Sequence, residues 1–195
     1  MKKMYLLLII FASFIALLTC ENMYNDIKDE IETCKTYAIG DTGPSGVGLV
    51  FYITDGGLHG LEAAPSDQST SQAWIAGGTT QTTLNGNTSL AIGTGMANSL
   101  AIIAQTGHTA SAAKVCRDYT GGGRTDWFLP SKDELNLIYK NLFKAGLGGF
   151  ESSNYWSSSE SESTAKYAQY QYFSLGSQSN EFKYQGLRVR AVRAF

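Results

Sequence analysis

Residues 121–143 read GGGRTDWFLPSKDELNLIYKNLF, and this stretch predicts a short strand that runs directly into a capped helix. Its apolar residues 127–129 favour a strand, which Pro130 ends because proline cannot donate to a sheet. Ser131 and Glu134 have the spacing of a capping box, in which each side chain bonds the backbone N–H of the other. The apolar residues of the helix then recur on one face, at Leu135, Ile138, Tyr139 and Leu142.

The chain closes on LRVRAVRAF, whose polarity alternates. The odd-numbered residues from 187 to 191 are apolar, and the two residues between them are Arg188 and Arg190. This alternation is typical of a half-buried strand with its arginines on the outer face.

A polar and aromatic segment lies between these two pieces, from Ser152 to Leu187. Its five tyrosines are Tyr155, Tyr167, Tyr170, Tyr172 and Tyr184. Tyrosine offers a large contact area with few rotatable bonds, and serine, asparagine and glycine adapt around it, as in an antibody combining site. The alternative is a solvated sheet with loops, whose tyrosines pack on their neighbours.

The preceding half of the chain predicts mixed secondary structure. A hairpin is expected from residues 49–54 and 59–65 around the turn Asp55-Gly56-Gly57. Residues 66–95 are rich in Ser, Thr, Gln, Gly and Asn, and we expect a long surface excursion that Trp74 anchors.

Two alanine-rich segments, 97–104 and 110–119, favour helices. Their predicted inward residues are Leu100, Ile103, Ala104, Ala113, Val115, Cys116 and Tyr119. With 16% charged residues and 21 glycines, the composition also fits a loop-rich α+β domain better than a helical bundle.

The amino-terminal residues have the features of a secretory signal. Lys2 and Lys3 precede an apolar run from residue 4 to 18, which is short for a membrane span and suits a signal peptide. The run ends in LLTC, similar to a bacterial lipoprotein cleavage box with Cys20 as the lipidated residue; the alternative is an ordinary signal peptide with an incidental cysteine.

This pattern predicts three parts: a signal peptide over 1–19, a lipidated cysteine and tether over 20–36, and a ligand-binding domain over 37–195. The lipid would anchor the protein to a membrane of the bacterial cell envelope, with the outer membrane surface as the expected location.

The sequence offers no evident catalytic or metal-binding group of residues. Cys34 and Cys116 could pair or stay free, and neither has a histidine nearby. His59 and His108 are far apart and lack metal-ligand spacing, so we expect no metal and no cofactor. The net charge of −2 becomes −4 once Lys2 and Lys3 are removed, which disfavours nucleic acid as a partner.

The order of several motifs resembles one family. The motifs are DWFLPSKDELNLIY, GF at 149–150, YWSSSE at 155–160, F-x-x-G-x-Q at 173–178 and the terminal VRAVRAF, with YAIGDTGPSGVGLVFY, HGLEAAP and AAKVCRDY upstream. Together they resemble the C-terminal domain of the Legionella collagen-like adhesin family, from Tyr37 to Phe195. That resemblance implies a C-type-lectin-like α+β fold with small antiparallel sheets, two or three helices and long loops.

The resemblance also implies where a ligand would bind. Some similar proteins are targets of diversity-generating retroelements, which rewrite selected codons near the carboxyl terminus while the scaffold stays fixed. The matching positions in this chain are Ser161, Ser163, Thr164, Tyr167, Tyr170, Tyr172, Ser174, Leu175, Ser177, Asn180, Phe182, Tyr184 and Leu187. The calcium motifs of sugar-binding C-type lectins are absent, so metal-dependent glycan binding is not implied.

Three hypotheses follow. The first is a surface-anchored lipoprotein that binds a protein or glycan ligand on another cell or a host surface through a diversified face. The second is a non-diversified adhesin or structural envelope protein of the same fold, which binds glycan or host matrix. The third, an enzyme related to lectin-fold sulfatase activators, would need a reactive pair at Cys34 and Cys116, and we expect no enzymatic activity.

Overall fold

The structure is a computed structural model that describes residues 35–195; for residues 78 and 79 it describes the backbone alone. Within this range the chain forms ten β-strands and three α-helices. The strands are β1 Leu49–Thr54, β2 His59–Ala63, β3 Ser69–Gln72, β4 Ile75–Ala76, β5 Ala110–Ser111, β6 Asn154–Glu160, β7 Tyr167–Tyr172, β8 Ser177–Phe182, β9 Leu187–Val189 and β10 Val192–Ala194. The helices are α1 Gly95–Ile103, α2 Ala112–Arg117 and α3 Lys132–Asn141.

The strands form three small sheets. Their orders are β1-β2-β10, β3-β9-β6-β7-β8 and β4-β5. All of these strand pairs are antiparallel except β6 with β9. The prediction of an α+β fold with small antiparallel sheets is confirmed.

Strand β6 lies between two apolar clusters. Trp156 packs in one cluster with Trp74 and Trp127. Its neighbour Tyr155 packs in the other cluster with Phe128 and Phe173. Successive side chains of a strand point to opposite faces, so β6 anchors the five-stranded sheet on both sides.

The capped helix and the first hairpin match their predictions. Ser131 Oγ accepts from Glu134 N–H at 3.3 Å, and the Glu134 carboxylate accepts from Ser131 N–H at 2.7 Å. Strands β1 and β2 pair antiparallel around residues 55–57. The strand predicted at 127–129 is shorter than expected, because only Phe128 forms a bridge, to Val192.

The terminal strand prediction is wrong in one respect. The segment divides into β9 and β10, which belong to different sheets, and Arg190 at the break is buried. Its guanidinium donates to Asp67 Oδ1 at 2.7 Å and to the carbonyls of Ala64, Gly148 and Gly149 at 2.6–3.0 Å. These acceptors come from segments distant in sequence, so alternation alone could not indicate that this arginine is buried.

Helix α1 turns a different face inward from the one predicted. Leu100 is 51% exposed and Ala104 is also exposed, whereas Asn98, Ser99 and Ile102 are buried. The buried polar groups are satisfied: Asn98 Nδ2 donates to Ser158 Oγ at 3.1 Å, and Ser99 Oγ accepts from Leu129 N–H at 3.0 Å. Hydrogen bonding to later parts of the chain therefore decides the inner face.

Trp74 anchors its segment as expected. It is fully buried, and its Nε1 donates to Ser157 O at 2.8 Å, which ties the excursion to β6. The two ends of the domain also meet, because the rings of Tyr37 and Phe195 lie 5.2 Å apart.

The predictions for the signal peptide, for lipidation at Cys20 and for Cys34 fall outside the described residues. Among residues 35–195, no helix is both long enough and apolar enough to span a bilayer.

Candidate ligand-binding surface

Strands β7 and β8 form a regular hairpin that carries many of the predicted binding residues. Six consecutive residue pairs join the strands, from Tyr167 opposite Phe182 to Tyr172 opposite Ser177. The turn 173–176 ends at Gly176, whose N–H donates to Tyr172 O at 2.7 Å. Gly176 has φ of +75°, and a Cβ there would lie 2.5 Å from the Tyr139 ring, so the turn sits tightly against α3.

One face of the hairpin carries Tyr170 and Tyr172, and we call it the Tyr170 face. Residues directly opposite each other share a face. Tyr170 lies opposite both Trp156 and Ser179, and Tyr172 lies opposite Ser177. Both tyrosines are half-buried, and both serines are exposed.

Leu187 lies beside this face. Like Tyr170, it is half-buried and packs against the tryptophan-containing cluster. The Tyr170 face is therefore a shallow aromatic and hydroxyl surface on a rigid base.

The opposite face of β7 is mostly closed by α3. Gln169 and Gln171 are buried, and Gln171 Nε2 donates to Gly176 O at 2.8 Å. Gln178 on β8 donates from Nε2 to Lys132 O at the start of α3. Substitution of these glutamines would disturb the packing of the hairpin on the helix.

At the far end of the hairpin three aromatic rings form a second group, which we call the Tyr184 cluster. Tyr167 and Phe182 have ring centroids 4.5 Å apart, and Phe182 stacks on Tyr184 at 5.1 Å. Tyr184 is 54% exposed. Strand alternation places Tyr167 on the face opposite to Tyr170, so the predicted tyrosines form two groups rather than one.

A pocket of about 210 Å³ opens beside the Tyr184 cluster. It is lined by Gln81, Thr82, Lys166, Phe182 and Tyr184. The first three of these residues are not among the positions predicted from the sequence. Gln81 and Thr82 come from a loop about one hundred residues earlier, and nothing in the local pattern links that loop to the hairpin.

A buried ion pair supports this end of the hairpin. Lys183 Nζ bonds the Glu160 carboxylate, and it also donates to Thr83 O at 3.0 Å and lies 4.8 Å from the centre of the Trp74 ring. Burial lowers the pKa of Lys183, while the bond to Glu160 acts in the opposite direction.

Glu160 holds the earlier loop as well. It accepts from the N–H groups of Asn85 and Gly86 at 2.9–3.0 Å. Because carboxylate and ammonium are both enclosed, the pair fixes the loop next to the Tyr184 cluster.

The three serines of the YWSSSE motif are structural. Ser157, Ser158 and Ser159 are buried where β6 departs from regular pairing with β7. Their hydroxyls bond Gln169 O, Asn98 Nδ2 and Ser89 O, respectively, at 2.7–3.1 Å. These three serines therefore support the sheet and do not face a ligand.

The other predicted positions lie in different environments. Ser163, Thr164, Ser174 and Asn180 are exposed, and Leu175 at the hairpin turn is 75% exposed. Ser161 is only 2% exposed, so its side chain is not available to a ligand in this structure.

The titratable side chains do not form a cluster suited to metal binding. No group of three or more His, Cys, Asp or Glu residues within 35–195 could hold a metal ion. Burial raises the pKa of the Cys116 thiol well above its ordinary value, which makes it a poor nucleophile.

A family model described as the Lcl C-terminal domain matches residues 64–193 of the chain. The matched segment runs from the end of β2 to β10 and includes both faces of the hairpin. A search of curated proteins found no match to the chain.

Proposed function

We propose that this chain, which belongs to the family of the Lcl C-terminal domain, is an adhesin-like surface protein that binds a protein or glycan ligand on another cell or host surface. The observation that carries the proposal is the β7–β8 hairpin, which presents Tyr170, Tyr172 and neighbouring hydroxyls from a fixed backbone. A rigid aromatic surface loses little conformational entropy on binding. The role is one of binding rather than catalysis.

Firm support beneath the hairpin favours this proposal. The β6 serines, the Glu160–Lys183 pair and the packing of Gln171 against the hairpin turn hold the strands without using the exposed side chains. Exposed residues can then change with little effect on the free energy of unfolding.

A test is to compare adhesion of the wild type with that of Tyr170→Ala/Tyr172→Ala, using cells and a glycan array. We expect about a tenfold or greater loss of binding, because aromatic contact residues dominate interface energies. Tyr170→Phe/Tyr172→Phe keeps the rings and separates their contribution from that of the hydroxyls. Leu58→Ala, at the β1–β2 turn, is the control and should bind as the wild type does. Unchanged binding by the double alanine variant would refute this role of the Tyr170 face.

We further propose that the exposed positions of the hairpin and its loops are diversified by a retroelement. The location of these positions supports the proposal, since Thr164, Ser177 and Asn180 are exposed. Sequencing of the adjacent DNA should find a near-copy of the 3′ end that differs at adenines, together with a reverse transcriptase gene. If neither is present, the protein is a non-diversified adhesin or structural envelope protein that binds glycan or host matrix.

We also propose a lipid anchor at Cys20, which would hold the domain on the outer membrane surface. The lipoprotein-like LLTC sequence after the apolar run supports this placement. Metabolic labelling with a palmitate analogue should mark the wild type and leave Cys20→Ala unlabelled. Equal labelling of both proteins would exclude lipidation at this residue.

A further inference from the structure

Strand β8 is an open edge of the five-stranded sheet. It is six residues long and pairs with β7 without a register shift. The other edge, β3, is four residues long and has an irregular register with β9. Natural proteins usually protect an edge by making it short, bulged or charged, and β8 carries only one charged residue, Glu181.

The hydrogen-bonding pattern identifies the free backbone groups of β8. Lys183 N–H donates to Lys166 O, so the pair just beyond the strand end is hydrogen-bonded. Pairs alternate in an antiparallel ladder, which directs the backbone groups of Gln178, Asn180 and Phe182 away from β7. The outward N–H of Phe182 is held by the Glu181 side chain at 2.9 Å, and its carbonyl accepts from Gln185 N–H at 2.9 Å. The outward groups available for pairing are therefore those of Gln178 and Asn180.

The Tyr184 cluster and its pocket lie at the carboxyl end of this edge, because Phe182 is the last residue of β8. A volume of about 210 Å³ is suited to one large side chain, and two of the lining residues offer aromatic surfaces.

The open edge beside the pocket favours a peptide over a sugar, because the outward N–H and C=O groups of β8 complement another backbone. Gln81 Nε2 donates one of its two N–H groups to Ile75 O at 3.2 Å, which fixes this amide in the pocket wall. Lys166 is exposed and forms no ion pair with any residue in 35–195. Its ammonium at the rim complements a carboxylate.

We propose that an extended segment of a protein ligand adds to the sheet along β8, with an aromatic side chain in the pocket and an acidic residue beside Lys166. Main-chain bonds to Gln178 and Asn180 would supply affinity, and the pocket would supply specificity, as in other cases of strand addition. This inference rests on the proposed ligand-binding function but uses a different set of residues from the Tyr170 face.

The test starts with a displayed library of linear peptides selected on the full chain. We expect enrichment of peptides with an aromatic residue and an acidic residue at a fixed spacing. The absence of enrichment would overturn the proposal, and it would leave adhesion through Tyr170 and Tyr172 unaffected. If Tyr170→Ala/Tyr172→Ala leaves adhesion unchanged while the selected peptides still bind, ligand binding through the Tyr170 face is refuted and strand addition is not.

Matched variants then test the binding mode with a selected peptide. Asn180→Pro removes the outward N–H and should weaken binding about tenfold or more, whereas Asn180→Ala keeps it and should change binding less than about twofold. Tyr184→Ala should lose the preference for the aromatic residue, and Lys166→Gln the preference for the acidic one. Equal binding by the proline and alanine variants would contradict strand addition.

A measurement on the peptide keeps the test decisive if Asn180→Pro does not fold. N-methylation of successive peptide residues should abolish binding at every second position and be tolerated between them. A uniform response would overturn the proposal. Two other results would also overturn it. One is that the chain forms a dimer in sedimentation and that this dimer does not bind the peptide. The other is that sugars alone displace the peptide.

Discussion

At the scale of single residues, Arg190 shows how much one side chain can hold together. Its guanidinium reaches Asp67 and three carbonyls, and its cationic centre lies 4.0 Å from the centre of the Phe150 ring. Only a planar group with several fixed donors can satisfy these acceptors together. Arg190 thereby joins the loop before β3, the loop before β6 and the break between β9 and β10.

We expect Arg190→Lys to lower the free energy of unfolding by about 3 kcal/mol, because a lysine leaves buried acceptors unpaired. Chemical denaturation measures this change. Arg124→Lys is the control, since Arg124 is exposed and makes one long bond to Pro44 O at 3.3 Å. If Arg190→Lys lowers the free energy of unfolding no more than Arg124→Lys does, Arg190 does not have this structural role.

Gly176 allows a second test at this scale. Gly176→Ala should destabilise the fold by about 2–3 kcal/mol, because the new methyl group would meet the Tyr139 ring and φ is positive. Gly146 has φ of +69°, and a Cβ added there would have no atom within 4 Å, so Gly146→Ala should cost only about 1 kcal/mol. Urea unfolding of both variants separates steric contact from backbone strain, and equal losses would exclude the contact with Tyr139.

At the scale of elements, local signals predicted well wherever an element stabilises itself. The capping box, the apolar face of α3 and the β1–β2 hairpin depend on residues close in sequence. The break between β9 and β10 and the inner face of α1 depend on partners far along the chain. Asp67 and Ser158 provide such partners, and no periodicity in a single segment can indicate them.

Glu134 links a local signal to long-range structure and gives a pH-dependent prediction. Besides capping α3, its carboxylate accepts from Gly93 N–H at 2.7 Å. Burial raises the pKa of Glu134 above its ordinary value of 4.5, although its hydrogen bonds oppose the change. The folded protein therefore binds this proton more tightly than the unfolded chain does.

The free energy of unfolding should consequently fall as pH rises from 4.5 through the raised pKa of Glu134, and this contribution should then level off. Glu134→Gln should lack that slope, as shown by urea unfolding at a series of pH values. Asp133→Asn, an exposed neighbour on the same helix turn, should retain it. A wild type and a Glu134→Gln variant with parallel pH profiles would contradict the prediction.

At the scale of the whole molecule, the Glu160–Lys183 pair connects the early loop, β6 and the end of β8. Both charges are enclosed, so removal of either one leaves the other unpaired in the interior. The family resemblance and the composition of residues 152–187 predicted the general location of the candidate surface. They could not predict its support, because residues 83–86 come from a segment with no distinctive pattern.

Lys183→Met and Glu160→Gln should each lower the free energy of unfolding by about 3–5 kcal/mol, and the double variant should lose less than the sum. A double-mutant cycle by chemical denaturation measures the coupling. The same cycle on Lys114 and Asp118, an exposed pair at the carboxyl end of α2, should give a coupling below about 1 kcal/mol. Strict additivity at Glu160 and Lys183 would refute the coupling.

The contact between Tyr37 and Phe195 has a practical consequence for engineering. Gly60 and Phe195 exchange two backbone hydrogen bonds, so the carboxyl end of the domain finishes in the β1-β2-β10 sheet beside Tyr37. A fluorescent protein joined after Phe195 through a flexible linker would be attached beside the β1-β2-β10 sheet, whereas β8 belongs to the five-stranded sheet. The same closeness allows a circular permutant, with a short linker from 195 to 37 and new termini in an exposed loop.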